Sequence, residues 1–478
     1  MTEKPVLLWF RQDLRLADNP ALAAAAAAGA PVAALFVLDD DTPGRWRWGG
    51  ASRWWLHRGL AALQRALGDR GVPLILRRGR ADAVVPQVAA ALHAGAVHWN
   101  RCYEPFAIAR DTTVKATLRA AGIAADSHNA GLLAEPWTVT TGAGAPYAVF
   151  TPVWRALRAG ATVPVPTAAP KCVRGLADAP AGDTLADWRL LPTSPDWAGG
   201  FAVWRPGEAG ARAQLDAFLD GLDNYGGGRD RPDRADTSRL SPHLHWGEIG
   251  PRQVWHAALA RAEAERAPDA AEPFLRELGW REFAHHLLYH RPEMTERPLR
   301  SEFVRFPWQD DAAQRAAWQR GRTGYPLVDA GLRQLWATGW MHNRVRMVAA
   351  SFLVKHLLQP WQHGAAWFWD TLVDADLANN SLGWQWVAGC GADAAPFFRI
   401  FNPVAQGERF DPDGAYVRRW LPELARLPAP LIHRPWTASA LELGDAGIRL
   451  GADYPRPMVD HGAARAAALA AFAEIKRA

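Results

Sequence analysis

The chain has few cysteines and no long apolar segment, and both shortages limit what it can be. Its three cysteines, Cys102, Cys172 and Cys390, form no Cys-x-x-Cys pair and no metal-ligand spacing, which fits a reducing compartment. No run of about 18 uncharged apolar residues is present, and the N-terminus MTEKPVLLWF lacks a signal-peptide pattern. We therefore expect no membrane insertion, no export and a cytoplasmic location.

The first apolar run lacks the Gly-x-Gly-x-x-Gly turn of dinucleotide-binding domains. VLLWF leads instead into RQDLRLADNPAL, so this layer is not expected to bind NAD. Helical, alanine-rich segments such as 20–28 and 51–68 nevertheless separate four short apolar runs: VLLWF, VAALFVLD, PLILRRG and AVHWN. Strands that alternate with helices predict a parallel sheet covered on both faces, in an α/β domain over residues 1–130.

The remaining length predicts a second domain, because 478 residues exceed what one ordinary core holds. Residues 131–200 are rich in Pro, Gly, Thr and Ser, as in TGAGAPYAVFTP and ATVPVPTAAP, which indicates a long connector. Helical periodicity dominates over 201–478, so the second domain should be all-α. The formal charge of +5 and the pI near 9.3 permit an anionic partner without requiring one.

Hydroxyl side chains cluster in the segment NYGGGRDRPDRADTSRLSPHLHWGEIG, at the start of the second domain. Thr237, Ser238 and Ser241 lie just before a helical pattern, where hydroxyls and free backbone N–H groups can bind phosphate. An ordinary helix N-cap explains the same residues, and the segment alone does not separate the two interpretations.

A second cluster lies in FLRELGWREFAHHLLYH, where Glu277, Trp280 and Arg281 share one helix face. A surface ion pair between Glu277 and Arg281 is the default structural interpretation. A tryptophan on the same stripe makes a wholly solvated face a poor fit, so the spacing favours a pocket wall.

The stretch GWMHNRVRMVAASF, residues 339–352, predicts an amphipathic helix with an unusual inner face. Asn343, Arg344 and Met347 occupy positions where an apolar stripe is expected, and we expect them in the interior. Tryptophan is also abundant, with 25 residues against seven tyrosines, and core packing explains most of them.

A last cluster follows in DTLVDADLANNSLGWQWVAGCGADAAPFFRIFNP. Asp374 and Asp376 precede Asn380, and Trp384 lies one helical turn after Asn380. The two aspartates could be an acid–base pair, metal ligands or charge partners of Arg344. Metal is the weakest of the three, because no His or Glu stands at ligand spacing.

Taken together, six stretches resemble the photolyase/cryptochrome family, specifically the cyclobutane pyrimidine dimer photolyases. They run in the expected order over nearly the whole chain: WFRQDLRLADNPAL, PYAVFTPVW, TSRLSPHLHWGEI, GWREFAHHL, GYPLVDAGLRQLWATGWMHNRVRMVAASFLVKHLL and WQWVAGCGADAAPFFRIFNPVAQGERFDPDG. The resemblance is nearest to the bacterial class III photolyases, with class I second. It implies a Rossmann-like N-terminal domain and a large helical C-terminal domain that holds a folded FAD.

The resemblance also implies which residues bind the FAD. Asn380 would face the flavin N5, and Arg344 would pair with Asp374 to stabilise an anionic reduced flavin, since buried charges need partners. The full set of implied FAD-binding residues is Tyr225, Thr237, Ser238, Arg239, Leu240, Ser241, Arg281, Arg344, Asp374, Asp376 and Asn380.

The implied reaction is light-driven electron transfer from reduced FAD to a dimer that is flipped out of DNA, as base-flipping enzymes do. The implied pocket consists of Glu277 at the base edge, the aromatic walls Trp280 and Trp386, and Asn343 and Met347 beside the flavin. Photolyases of the 6-4 photoproduct carry histidines at these last two positions, and this chain does not.

Further implied residues serve electron transfer and DNA binding. Trp384, Trp361 and Trp308 match the chain of tryptophans that carries electrons to oxidised flavin. The resemblance also implies that a monomer binds UV-damaged DNA independently of sequence, mainly through charge. Its implied DNA contacts are Arg229, Arg344 and Gln406.

The resemblance leaves the antenna chromophore and one alternative function open. Phe106 and Ala107 replace the Asn-Glu of enterobacterial folate-binding photolyases, whereas GRWRWGGASRWWLH and VHWNRCYEPFAIARD look like class III, which uses methenyltetrahydrofolate. We favour that folate over a deazaflavin or no antenna. A cryptochrome photoreceptor without repair activity is the alternative function. Cryptochromes usually have a changed lesion pocket or a long C-terminal tail, whereas this sequence finishes at LAAFAEIKRA, so repair is expected. A non-catalytic DNA-binding flavoprotein is the third possibility.

Overall fold

A computed structural model describes residues 3–160, 163–393 and 398–477. Within these residues, the N-terminal part contains one parallel sheet with the strand order β3-β2-β1-β4-β5. The strands are β1 (Val6–Phe10), β2 (Val32–Leu38), β3 (Leu74–Arg78), β4 (Ala96–Asn100) and β5 (Ala124–His128). The predicted parallel sheet is confirmed. The edge strand β5 was missed, because its residues AADSH are short and mostly polar.

Helices cover both faces of this sheet, as predicted. Asn19 caps the first helix by accepting a hydrogen bond from the backbone N–H of Leu22, and Pro20 follows at the first helical position. The four helices are α1 (Pro20–Ala27), α2 (Gly50–Gly68), α3 (Ala81–Ala91) and α4 (Pro105–Ala120).

The sheet separates two cores, and the central strands contribute to both because successive side chains point to opposite faces. In the central strand β1, Leu8 belongs to the core that contains Trp55 of α2. Its neighbour Trp9 belongs to the other core, with Val85 of α3 and Val114 of α4. Burial on both faces explains why VLLWF is apolar throughout.

Helices dominate the rest of the described chain, which confirms the prediction of a helical C-terminal domain. One helix, α5 (Phe150–Gly160), lies in the segment predicted as a connector. The others are α6 (Glu208–Leu219), α7 (Tyr225–Gly228), α8 (Ser241–His245), α9 (Pro251–Ala264), α10 (Glu272–His290), α11 (Ala312–Gln319), α12 (Pro326–Thr338), α13 (Asn343–Ser351), α14 (Trp361–Thr371), α15 (Leu377–Ala388), α16 (Pro403–Phe410), α17 (Ala415–Trp420), α18 (Ala429–Ile432), α19 (Ala440–Ala446) and α20 (His461–Arg477).

The helix predicted over 339–352 begins later than its apolar pattern indicated. Gly339 adopts a left-handed conformation, with φ of 68°, and ends α12. His342 then caps α13 by accepting a hydrogen bond from the N–H of Arg344. The helix therefore begins at Asn343, and a π-helical turn, Phe352–His356, follows it.

The sheet domain and the helical domain touch through α2 and α14. The N–H of Gly50 donates to the carboxylate of Asp370, and the indole of Trp369 donates to the carbonyl of Arg47, both at 2.8 Å. A Cβ at Gly49 would lie 2.3 Å from the Cα of Asp370, so this close approach requires glycine. In the part of the chain that the structure describes, no helix is long and apolar enough to span a membrane.

Candidate active site

A buried carboxylate, that of Asp374, lies at the centre of the polar clusters found in the sequence. One of its oxygens accepts hydrogen bonds from the hydroxyl of Ser241 at 2.6 Å and from the guanidinium of Arg346 at 2.8 Å. Ser241 begins α8, Arg346 lies on α13 and Asp374 precedes α15. Three segments that are distant in sequence therefore meet at one ion pair.

The expected pair between Arg344 and Asp374 is wrong. Arg344 instead forms an ion pair with Asp230 at 2.8 Å, and its guanidinium lies 4.5 Å from the ring centre of Phe410. Two residues along a helix differ by about 200° in direction, so Arg344 and Arg346 cannot face the same carboxylate. The guanidinium that pairs with Asp374 is therefore that of Arg346, two positions after the expected Arg344.

Two buried polar atoms beside this ion pair have no hydrogen-bond partner within the described residues. They are the second oxygen of Asp374 and the Nε of Arg239. Buried polar atoms nearly always have partners, so these two fit a site that holds a polar cofactor. Arg239 has a φ of 50°, and its guanidinium lies over the rings of Trp204 and Trp340. Burial lowers the pKa of Arg239.

The second aspartate, Asp376, caps α15 and faces two histidines. It accepts a hydrogen bond from the N–H of Asn379 at 2.8 Å, and its other oxygen lies 3.4 Å from His285 and 3.6 Å from His245. Burial alone would raise the pKa of Asp376, but the charges and hydrogen bonds of His285 and His245 together outweigh burial and hold that pKa well below its usual range. Burial lowers the pKa of His285 less than Asp376 raises it. The two form a buried charge pair.

The polar face of α10 also differs from the simplest prediction. Glu277 forms an ion pair with Arg229 at 2.6 Å, whereas Arg281 donates to the carbonyl of Gly131 at 2.7 Å. The Glu277–Arg281 ion pair considered from the spacing is therefore wrong. Trp280, one turn from Glu277, stacks on Phe150 with ring centres 3.9 Å apart, so the aromatic wall is itself supported.

The remaining expected pocket residues are at least partly exposed and do not lie in a packed interior. Asn343 is exposed, and Met347 and Trp386 are half-buried. The expectation that Asn343 and Met347 of α13 lie in the interior is therefore wrong. The amide of Asn380 is half-buried and donates to the carbonyl of Ala365 at 3.0 Å.

The expected phosphate-binding residues near α8 differ in how deeply they are buried. Thr237 and Ser238 are half-buried and Ser241 is exposed, whereas Tyr225 and Leu240 are buried. The carbonyl of Ser238 is already used, because it accepts a hydrogen bond from the side chain of Gln214. Of the hydroxyl groups, that of Ser241 donates to Asp374, and that of Ser238 accepts a hydrogen bond from the N–H of Leu240.

Comparison with known proteins agrees with this geometry. Residues 6–171 match the family model described as DNA photolyase, and residues 274–474 match the FAD binding domain of DNA photolyase. The chain is 49% identical to the deoxyribodipyrimidine photo-lyase of Agrobacterium fabrum, over 99% of this chain and 98% of that protein. The chain belongs to the DNA photolyase family.

Two further relatives show how the family extends. A solved bacterial class III photolyase from Agrobacterium tumefaciens superposes with a TM-score of 0.96 at 48% identity, over 100% of this chain and 99% of that chain. Cryptochrome-1 of Arabidopsis thaliana is 43% identical, over 95% of this chain and 68% of that protein. The family thus includes named repair enzymes and named cryptochromes, and the first relative is a photo-lyase.

The three tryptophans expected to carry electrons lie in or beside the helical core. Trp384 and Trp361 are buried and Trp308 is half-buried. A Cβ at Gly364 would lie 2.0 Å from the Trp384 ring, so α14 and α15 approach closely there. The ring of Trp384 also contacts Phe368 and Trp318, with centres 5.0 Å and 6.3 Å apart; sequence analysis did not single out these two residues.

A separate cavity lies where α2 and α14 bring the two domains together. Its volume is about 520 Å³, and it combines indole rings with several guanidinium groups and two carboxylates. It is lined by Asp40, Arg45, Trp46, Arg47, Trp48, Gly49, Gly50, Arg53, Arg78, Ala366, Trp369 and Asp370. Most of these residues belong to the stretch GRWRWGGASRWWLH, which sequence analysis associated with the antenna.

Proposed function

We propose that the chain is a light-dependent DNA repair enzyme that splits cyclobutane pyrimidine dimers and uses a non-covalently bound FAD. The observation that carries this proposal is the buried Asp374 carboxylate: one oxygen is bonded to Ser241 and Arg346, and the other has no partner among the residues that the structure describes. A fixed guanidinium and a partly unsatisfied carboxylate suit a polar cofactor that carries negative charge when reduced. When bound, reduced FAD would supply the light-excited electron that opens the dimer.

The residues proposed to hold the FAD follow the sequence expectation with one exchange. Arg346 takes the place of Arg344 as the partner of Asp374. Asp376 is also included, and its carboxylate forms a charge pair with His285. The remaining proposed FAD contacts are Tyr225, Thr237, Ser238, Arg239, Leu240, Ser241, Arg281 and Asn380.

The proposed lesion pocket lies between α10 and α13. Glu277 and Asn343 would offer an acceptor and an amide to the base edges, while Trp280, Met347 and Trp386 would contact the rings. Their partial exposure supports this role, because a side chain that binds a flipped base cannot already be packed in a core. The absence of histidine at residues 343 and 347 favours the cyclobutane dimer over the 6-4 photoproduct.

Two of the proposed DNA contacts lie next to residues of the proposed lesion pocket: Arg229 pairs with Glu277, and Arg344 follows Asn343. Arg229 and Arg344 supply positive charge, and Gln406 on α16 would donate to a phosphate through its side-chain amide N–H. Phosphate contacts of this kind give affinity that is independent of sequence and falls steeply with salt. Trp384, Trp361 and Trp308 are proposed to pass electrons from the surface, so that oxidised cofactor is restored to its active form.

The cavity between the domains is proposed to bind the antenna chromophore, with methenyltetrahydrofolate preferred. A folate combines a flat ring system, which the indoles of Trp46, Trp48 and Trp369 suit, with a glutamate tail that the arginines would pair with. The absorption spectrum of the small molecules released by denaturing the purified protein tests this assignment. A deazaflavin, or FAD alone, in the extract would contradict it.

A cryptochrome-type photoreceptor without repair activity is the second candidate, favoured by the 43% identity to Arabidopsis Cryptochrome-1. An oligonucleotide that contains one thymine dimer separates the two functions when repair under blue light and binding in the dark are measured side by side. Binding followed by repair supports the enzyme. Light-driven flavin reduction without any repair would support the photoreceptor.

A further inference from the structure

Two neighbouring ion pairs connect the residues that follow α7 to α10 and to α13. They involve the consecutive residues Arg229 and Asp230, which follow α7. Arg229 pairs with Glu277 of α10 at 2.6 Å, and Asp230 pairs with Arg344 of α13 at 2.8 Å. All four side chains are partly exposed, between 20% and 39%, so solvent and a bound ligand can reach them.

The two ion pairs differ in how many of their side chains would gain a new partner when DNA binds. This inference rests on the proposed function, which assigns both Arg229 and Glu277 to bound DNA: the arginine to a phosphate and the carboxylate to the flipped base. In the free protein these two groups neutralise each other. Asp230, in contrast, has no proposed contact with DNA, so only Arg344 of the second pair would gain a new partner.

We propose that the Arg229–Glu277 ion pair makes Glu277 a specificity-determining residue that couples phosphate binding to lesion insertion. Undamaged duplex offers phosphates but no flipped base. Arg229 could then bind a phosphate only by leaving the Glu277 carboxylate without a counter-charge beside the anionic backbone, which is unfavourable. Arg229 therefore stays paired with Glu277 on undamaged DNA and contributes little to its binding.

A flipped dimer removes this obstacle because it brings a new donor to Glu277. The imide N–H of a pyrimidine base can donate to the carboxylate at the same time as a phosphate accepts from Arg229. Both charges then exchange one partner for another, and neither is left unpaired. The ion pair thus opens at low cost only when the lesion and the backbone bind together.

The test compares dark binding of undamaged duplex and dimer-containing duplex by fluorescence anisotropy over a range of salt concentrations. The proteins are the FAD-loaded wild-type chain, Glu277→Gln, Arg229→Gln, the double variant, and Asp230→Asn as a matched control. Asp230→Asn also removes one negative charge, from the neighbouring ion pair with Arg344, and it should strengthen binding to both DNAs by the same factor. Flavin content measured in each sample confirms that the variants are folded.

Glu277→Gln should bind undamaged duplex about two- to fivefold more tightly, the range expected for releasing an exposed ion pair. Its salt dependence should steepen by about 0.9, as for one additional phosphate contact. The tighter binding and the steeper salt dependence should both vanish in the variant that combines Glu277→Gln with Arg229→Gln. Arg229→Gln alone should weaken binding of both DNAs, because Glu277 loses its counter-charge. Binding of the dimer should weaken more than binding of undamaged duplex, because the dimer complex also loses the phosphate contact of Arg229.

If the wild-type chain binds dimer-containing duplex more tightly than undamaged duplex, either of two results would contradict the proposed coupling. One is an unchanged affinity of Glu277→Gln for undamaged duplex, and the other is a gain that survives in the double variant, since general loss of negative charge would then explain it. Failure of the proposed function is distinguishable, because the wild-type chain would then bind both DNAs equally, and the coupling would fall with it.

Discussion

Replacing Arg346 by alanine tests the ion pair that we place beside the cofactor. Removing one partner of a buried ion pair costs about 3–5 kcal/mol, because the other charge stays buried without compensation. Here the Arg346 side chain is 22% exposed, and Ser241 still donates to the same oxygen of Asp374. Both facts reduce the penalty, so we expect a loss of about 2–3 kcal/mol in the stability of the FAD-bound helical domain.

The assay is equilibrium unfolding in urea, followed by flavin release and by far-ultraviolet circular dichroism. Arg344→Ala is the matched control, because it removes the same side chain two residues earlier on α13. Its pair with Asp230 is solvent-accessible, so its loss should cost under about 1 kcal/mol. Equal losses in both variants, or a larger loss in Arg344→Ala, would refute the reasoning.

Three further predictions test other parts of the account. Trp384→Phe should block light-driven flavin reduction while chemically reduced protein still repairs; unaltered photoreduction would contradict the proposed electron path. Denaturation by acid or heat should release all FAD, because no Cys or His lies at a plausible attachment position in the matched motifs, and flavin that stays with the chain would refute non-covalent binding. Burial raises the pKa of Glu282 to about 7, so its folded form binds a proton that the unfolded form releases near pH 4.5. Stability should therefore fall as the pH rises from about 5 to about 7, and Glu282→Gln, which can still accept from the N–H groups of Leu133 and Ala134, should flatten this part of the profile.

The layers of the fold were predictable because buried strands and helices have regular patterns of apolar residues in the sequence. β1 is apolar throughout, and its residues divide between two cores as alternation requires. The edge strand β5 carried no such trace, since only one of its five residues, Ala125, is buried. The late start of α13 was also hidden, because Gly339 is followed by apolar residues that continue the pattern of a helix without belonging to one.

The candidate site was predictable as a set of residues but not as a set of pairs. Spacing along α10 placed Glu277 near Arg281, yet a closer partner, Arg229, comes from a loop 48 positions earlier. The sequence RVR offers two arginines on opposite sides of α13, and only the packing of α13 against α15 decides which one reaches Asp374. Ion pairs between distant segments depend on tertiary packing, which local periodicity does not contain.

The most direct test of the central claim is repair of a defined lesion by the chemically reduced chain under blue light. Two oligonucleotides serve as substrates, one with a single cyclobutane thymine dimer and one with a 6-4 photoproduct, and each has a dark control. The account predicts that intact thymines return only in the light and only from the cyclobutane dimer. Flavin-loaded chain that binds the dimer but restores no thymines, or that restores them from the 6-4 photoproduct, would contradict it.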